Sequence, residues 1–265
     1  MKLSIIGAGN IGSAIACGLG SSSNINASDI YCADISPEAL IKIKEANADI
    51  NTTTNCKDIV ENADIIIVAV KPWLIETIIK EIKEKMDYKR QIFVSIAAGI
   101  DFSNLRHHLK KIDGDLPAIF RIIPNTAIAV KESVNLISAD NANIEQIDLV
   151  KNIFDELGIT FFIDERFMAA GTALSSCGIA YAFRYVRAAM EGAIELGLYP
   201  ELAKKIELQT IKGAIALLEK NNNHPEAEID KVTTPGGITI KGLNAMEEAG
   251  FTNAVIKGLK ASTTS

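Results

Sequence analysis

Apolar and polar positions divide this chain into two textures. Through residue 163, short apolar runs alternate with amphipathic segments. Leu3, Ile5 and Ile6 make the first run and residues 29–33 the second. Residues 64–70 make a third, apolar after its opening Asp64, as a strand covered on both faces should be. Residues 91–96, 118–123, 133–139 and 158–163 continue the series. Helices are predicted after Gly12, from Ser36 to Asn47, over 56–62 and 73–85, from Asp101 to His108 and over 143–157. Ser36 and Asp101 are good helix caps, and Pro37 suits a first helical position. The polar stretch 51–55 reads as an exposed loop. Strands alternating with helices predict an α/β domain built on a doubly wound parallel sheet, over residues 1–163.

Beyond Asp164 no β-branched strand recurs. One long helical segment covers 167–196 and stops at Gly197, and Pro200 opens another that reaches Lys220. His224 and Pro225 begin a short helix. Residues 233–237 form a loop, and two further helices meet at Gly250. Residues 164–265 are therefore expected to be an all-α domain. Its apolar positions include Leu174, Ile179, Ala182, Val186, Ile194, Ile211, Ile215 and Leu217. A small bundle cannot cover that much apolar surface alone, so a dimer through the helical domain is expected.

Chemistry enters at the first turn. Gly7, Ala8, Gly9, Asn10, Ile11 and Gly12 form a G-x-G-x-x-G run that follows a strand and opens a helix. In that context Gly7 permits the tight turn, Gly9 lets backbone approach a pyrophosphate, and Gly12 lets helix and strand pack closely. The helix start presents unpaired N–H groups and the positive end of its dipole to phosphate. Asp34 ends the second strand, roughly 20 residues on, where the acid of a dinucleotide-binding Rossmann fold meets the adenine ribose. It also suits a cap for the turn before Ser36 and Pro37, and the two roles are compatible, with the ribose contact favoured. The first domain is thus expected to bind a dinucleotide.

Composition narrows the rest. Hydrophobic residues at 48%, charged ones at 23% and a net charge of -6 describe an ordinary globular chain without a nucleic-acid surface. The longest apolar run, residues 65–70, is too short for a bilayer, and with a strand starting at residue 2 or 3 no signal peptide is expected. The 4 cysteines, Cys17, Cys32, Cys56 and Cys177, lack a paired spacing and read as reduced space-filling residues of a cytoplasmic protein. His107, His108 and His224 lack metal-ligand spacing, and no metal is expected.

Several stretches closely resemble the pyrroline-5-carboxylate reductase family, and together they cover nearly the whole chain. They are the glycine run, Val68-Ala-Val-Lys-Pro72, Ser95-Ile-Ala-Ala-Gly99, Arg121-Ile-Ile-Pro-Asn-Thr126, Ala173-Leu-Ser175, and His224-Pro225 leading to Val232-Thr-Thr-Pro-Gly-Gly-Ile-Thr239. The last is the most selective. From its chemistry alone, Thr234, Gly236, Gly237, Ile238 and Thr239 form a loop at a helix start, suited either to a small carboxylate or to plain capping by Thr234.

The resemblance implies that this loop binds the pyrroline carboxylate and that Thr239, the one catalytic candidate, hydrogen-bonds the ring nitrogen while NADH or NADPH delivers hydride to the C=N carbon. It also implies cofactor contacts from Asn55, Ala69, Val70, Lys71, Pro72, Ala97 and Ala98, and from the junction acid Glu165, which reads nearly as well as a solvated linker charge. Lys71 suits positioning better than base catalysis, because Pro72 follows it. Many relatives carry Arg at the position of Ile35 to meet a 2′-phosphate. Here Asp34 precedes an apolar residue, so NADH preference is expected. The family's Gly-Ser-Gly-Pro is replaced by Ser176, Cys177, Gly178 and Ile179, and its Asn-Thr-Pro by Asn125, Thr126 and Ala127. Two alternatives stay open, namely a reductase of another small cyclic imine and a dinucleotide-binding sensor without catalysis. A hydroxy-acid reductase is disfavoured, because no Lys falls between Asp164 and Lys204.

Overall fold

A computed structural model describes residues 1–263. Its packing forms two compact units, Met1–Ser176 and Cys177–Ser265. The first contains an 8-stranded sheet in the order β3-β2-β1-β4-β5-β6-β7-β8. These strands are β1 (Leu3–Ile6), β2 (Ile30–Ala33), β3 (Asn51–Thr53), β4 (Ile65–Val68), β5 (Ile92–Ser95), β6 (Ala118–Ile123), β7 (Ser133–Asp140) and β8 (Gly158–Phe162). Every side chain of β1, β4, β5 and β6 is buried. That follows from helices on both faces, namely α1 (Asn10–Gly20), α2 (Pro37–Ala46), α3 (Ile75–Ile82), α4 (Phe102–Leu109) and α5 (Ile144–Asp155). One face packs Ile15, Leu19, Phe120 and Phe154, and the other Ile79, Ile82, Phe93 and Leu105.

The helix starts follow the sequence rules. Ser36 Oγ accepts from Ala39 N at 3.2 Å, and Asp101 Oδ1 from Asn104 N at 2.8 Å. Asn143 and Gln146 close a reciprocal capping box.

Three expectations are corrected. The sheet is not wholly parallel, because β7 runs antiparallel to β6. Its connection holds only a short 3-10 turn, Thr126–Val130, and a parallel return needs a crossover of a dozen residues or more. Residues 51–53 are not loop but an edge strand that pairs in parallel with β2. The long helical segment is also not uniform. It passes from α6 (Met168–Thr172) through a π-turn, Ala173–Cys177, into α7 (Gly178–Glu195).

The second unit continues with α8 (Pro200–Asn221), α9 (Pro225–Val232), α10 (Ile238–Glu248) and α11 (Phe251–Ala261). Helix α7 packs on α8, and α10 on α11. Among its described residues only Ala203 is buried, while Phe183, Leu196, Tyr199 and Ile238 stand in the open. No helix among the described residues is long and apolar enough to cross a membrane. All four cysteines are free. Burial, and then the neighbouring Asp34 carboxylate, push the Cys32 thiol up to about 12, so it stays protonated at neutral pH.

The three glycines of the first turn differ in what a side chain would meet. A Cβ on Gly12 would lie 1.9 Å from the carbonyl oxygen of Gly7, whereas one on Gly9 would have nothing within 4 Å. Gly12→Ala is therefore expected to lower stability by about 3 kcal/mol through overpacking. Gly9→Ala should change it by no more than about 0.5 kcal/mol. Thermal melting of the two variants checks the contrast, and equal losses would refute it.

Candidate functional site

Strand β1 pairs with β2 on one side and β4 on the other. The strand order reverses there, and the crevice beyond the carboxyl ends of β1 and β4 is where an open α/β sheet takes a ligand. The glycine turn occupies that position. Gly7 has φ +106, and its N–H donates to Ala33 O at 2.7 Å. A side chain there would strike the Ala69 carbonyl oxygen at 2.6 Å. Ala8 is buried, Gly9 and Asn10 are exposed, and Ile11 rests partly on the core. Gly9 is the N-cap of α1, no side chain caps the helix, and its first turn carries no acid. The donors at this helix start are thus left for an anion.

Asp34 ties the glycine turn to the start of α2. Its Oδ2 accepts from Ala8 N at 2.5 Å and its Oδ1 from Ser36 N at 2.8 Å. Each oxygen keeps acceptor capacity beyond those bonds, enough for a ribose hydroxyl. Ile35 beside it is 90% exposed. Ala69 and Val70 leave β4 half-buried, and Lys71 is exposed just before the 3-10 turn Pro72–Leu74. Ala97 is buried and Ala98 exposed at the end of β5, where Ile96 N donates to Val68 O at 3.1 Å. Exposed Asn55 caps the turn Cys56–Ile59 by accepting from Lys57 N at 3.2 Å, and donates to Asp58 Oδ1 at 2.8 Å.

Glu165 is neither a solvated linker charge nor a free carboxylate. Its Oε1 accepts from Arg121 Nη1 at 2.5 Å and from Phe102 N at 2.7 Å. Sequence reasoning gave Arg121 no role of its own. The available signal was a guanidinium inside an otherwise apolar strand, which must find a counterion.

Asn125 is buried and fully engaged. Its side chain accepts from Ala127 N at 3.0 Å and donates to the Ser175 carbonyl at 3.1 Å, within the π-turn. Ser176 Oγ donates to Pro124 O at 3.0 Å, a bond that a glycine at this position would lack. The departure at Ser176 therefore adds a fastening between β6 and the π-turn.

In the helical unit, Gly237 N donates to Thr234 O at 2.9 Å, closing a tight turn in which Gly236 has φ +72. The N-cap of α10 is Gly237, and no side chain bonds it. Capping by Thr234 is thus corrected, because Thr234 contributes its carbonyl rather than its hydroxyl. Thr234, Gly236, Ile238 and Thr239 are exposed, and the first turn of α10 carries no acid. His224 Nδ1 accepts from Glu226 N at 3.3 Å as the cap of α9, and His107 is exposed in the last turn of α4. No cluster of three potential metal ligands occurs among the described residues.

Comparison with known proteins agrees with this geometry in both parts of the chain. Residues 2–99 match the family described as NADP oxidoreductase, coenzyme F420-dependent, and residues 165–265 that described as pyrroline-5-carboxylate reductase dimerisation. Pyrroline-5-carboxylate reductase 1 of Dictyostelium discoideum is 37% identical over 98% of this chain, although the chain spans only 48% of that relative. The pyrroline-5-carboxylate reductase of Methanosarcina acetivorans is 33% identical, with 98% of this chain and 96% of the relative covered. The crystal structure of Plasmodium falciparum pyrroline carboxylate reductase with NADP bound superposes with a TM-score of 0.89 at 28% identity, covering 99% of this chain and 95% of that one. The chain belongs to the pyrroline-5-carboxylate reductase family.

Proposed function

We propose that this chain reduces the C=N bond of 1-pyrroline-5-carboxylate, giving L-proline in the last step of proline biosynthesis. One observation carries the reading. A chain with an unobstructed dinucleotide cradle at Gly9 also holds a second helix start, at Gly237, with no side-chain cap and no acid in its first turn. The first suits a pyrophosphate and the second a small carboxylate.

The nicotinamide cofactor, NADH or NADPH, supplies the hydride. The residues named for holding it are Gly7, Ala8, Gly9, Asn10, Ile11 and Gly12 at the pyrophosphate, Asp34 at the ribose, and Asn55, Ala69, Val70, Lys71, Pro72, Ala97 and Ala98 along the strand ends. The open space at Gly9 fits this group, since backbone must come close to the phosphates. In the turn 234–239, backbone N–H groups around Gly236, Gly237 and Ile238 take the substrate carboxylate, with Thr234 shaping the turn. Thr239 Oγ1 orients the ring nitrogen. That nitrogen is protonated as an iminium, so its carbon is already electrophilic and no strong general acid is required. Binding contributes proximity and exclusion of water.

The fixed Asp34 carboxylate beside apolar Ile35 supports a preference for NADH. A carboxylate accepts from a free 2′-hydroxyl and repels a 2′-phosphate. The open apolar faces of the helical unit support self-association through that unit.

The reading is tested first by oxidation of NADH and NADPH, side by side, with pyrroline-5-carboxylate. Turnover is expected with both and faster with NADH, and Thr239→Ala should lower kcat by about 100-fold at unchanged melting temperature. Absence of turnover despite nucleotide binding would point to another imine or to a sensor. Ile35→Arg should shift the ratio of kcat/KM values toward NADPH by about tenfold, through charge-assisted bonds to the 2′-phosphate. A ratio that stays put would remove the specificity argument. Sedimentation equilibrium should give a dimer or larger assembly, and a monomer at micromolar concentration would refute self-association.

A further inference from the structure

Residues 96–101 connect β5 to α4 and include Ala97 and Ala98, which the proposed function sets against the nucleotide. The loop is fastened at its start, where Ile96 N donates to Val68 O at 3.1 Å and Ala97 N to Ser95 Oγ at 3.4 Å. Its middle is open. Ala98 and Gly99 are exposed, Gly99 has φ +80, and a Cβ there would meet nothing within 4 Å. Ala97 is buried in the core and Ile100 packs partly against it, so packing leaves only Ala98 and Gly99 unheld.

The far end is held in an unusual way. Asp101 caps α4 through Asn104 N, which leaves the N–H of Phe102, the first helical residue, without a partner in its own turn. Glu165, 63 residues later, takes that N–H at 2.7 Å. The same carboxylate oxygen holds Arg121 Nη1 at 2.5 Å, and the Arg121 side chain is only 8% exposed. The Arg121 guanidinium also lies 5.8 Å from the centre of the Phe102 ring. Its Nε is buried without a partner. Arg121 is thus a costly residue for a strand interior, and an apolar side chain of similar size would be cheaper there. What the charge gains is a fixed orientation for Glu165, whose bond ends the loop.

We propose that Glu165 and Arg121 form a positioning clamp that sets the height of residues 98–99 against the nicotinamide cofactor, with Glu165 acting through the Phe102 N–H in place of the direct cofactor contact that the family resemblance implies. The inference rests on the proposed dinucleotide site. Neither residue is a catalytic group. Their effect is on where the loop backbone stands when the nucleotide arrives, and an error of about 1 Å in such a place can cost 100-fold in rate.

Two double variants separate the clamp from mere stability. Arg121→Met with Glu165→Gln removes the charges of the buried Arg121 and half-buried Glu165 but keeps a side-chain carbonyl for Phe102 N–H. Arg121→Met with Glu165→Met removes the charges and the acceptor together. The Met version should melt below the Gln version, because it leaves the Phe102 N–H without its acceptor, so nucleotide affinity is compared well below both transitions. The Gln version should bind NADH within about twofold of wild type, read by quenching of Trp73, the one tryptophan of the chain. The Met version should bind it about tenfold more weakly and raise the cofactor KM alike, leaving the KM for the imine unchanged. Equal nucleotide affinity in the two variants would overturn the clamp.

Wild type is the control for the underlying reading. If it binds neither NADH nor NADPH, the dinucleotide site falls and the clamp with it. If wild type turns over and the variants match each other, the clamp alone falls. Should either variant fail to fold, amide exchange of the wild-type chain decides, because the clamp requires Phe102 N–H to be protected at least about tenfold relative to exposed loop amides. Unprotected exchange at Phe102 would overturn it.

Discussion

The front of the sheet depends on a contact that no side chain permits. The α-carbon of Gly12 sits so near the Gly7 carbonyl that even a methyl group would overlap it, and Gly7 in turn is pressed against the Ala69 backbone at the end of β4. These approaches bring the first turn of α1 directly over the carboxyl ends of β1 and β4. They also aim its unpaired N–H groups outward, past Gly9, where nothing in the protein blocks them. Asp34 then ties the turn to β2 through Ala8, and Ala69 N ties β4 to Ile6 O at 2.7 Å. The anion-accepting geometry is a consequence of how closely the glycine backbones pack.

Much of this was legible because it is local. The buried strands appear as apolar runs, the caps as Ser36 and Asp101, and the glycine turn as a spacing whose flanks are a strand and a helix. What was not legible is what sequence period does not encode. Alternation marks a strand but carries no direction, so the antiparallel β7 is visible only in the shortness of its connection. Strand β3 is hidden for a different reason. Asn51, Thr52 and Thr53 are polar and half-buried at a sheet edge, so no apolar face announces them. The Glu165–Arg121 pair joins residues far apart in the chain, and only the fold brings them together.

The helical unit inverts the economy of the first. The α/β unit buries whole strands, whereas α7 to α11 leave nearly every described side chain at least partly accessible. Helices in water draw most of their stability from burying an amphipathic face, not from propensity. Helices with Phe183, Leu196 and Ile215 in the open have therefore not yet completed that burial within one chain. The match of residues 165–265 to a dimerisation family is the same statement in evolutionary form.

In the proposed function Asp34 serves fold and specificity at once. Both of its oxygens take backbone N–H groups, one from the glycine turn and one from the start of α2. The carboxylate is consequently immobile, and its charge stands at a set place when a nucleotide approaches. A mobile acid could swing away from a 2′-phosphate and lose little. A pinned one cannot relax without giving up the bond to Ala8 that helps hold the glycine turn. Under the proposed preference for NADH, discrimination against the phosphate is coupled to the integrity of the glycine turn itself. A simple change of Asp34 would accordingly disturb both functions together, while the exposed neighbour Ile35 can be altered without touching either bond.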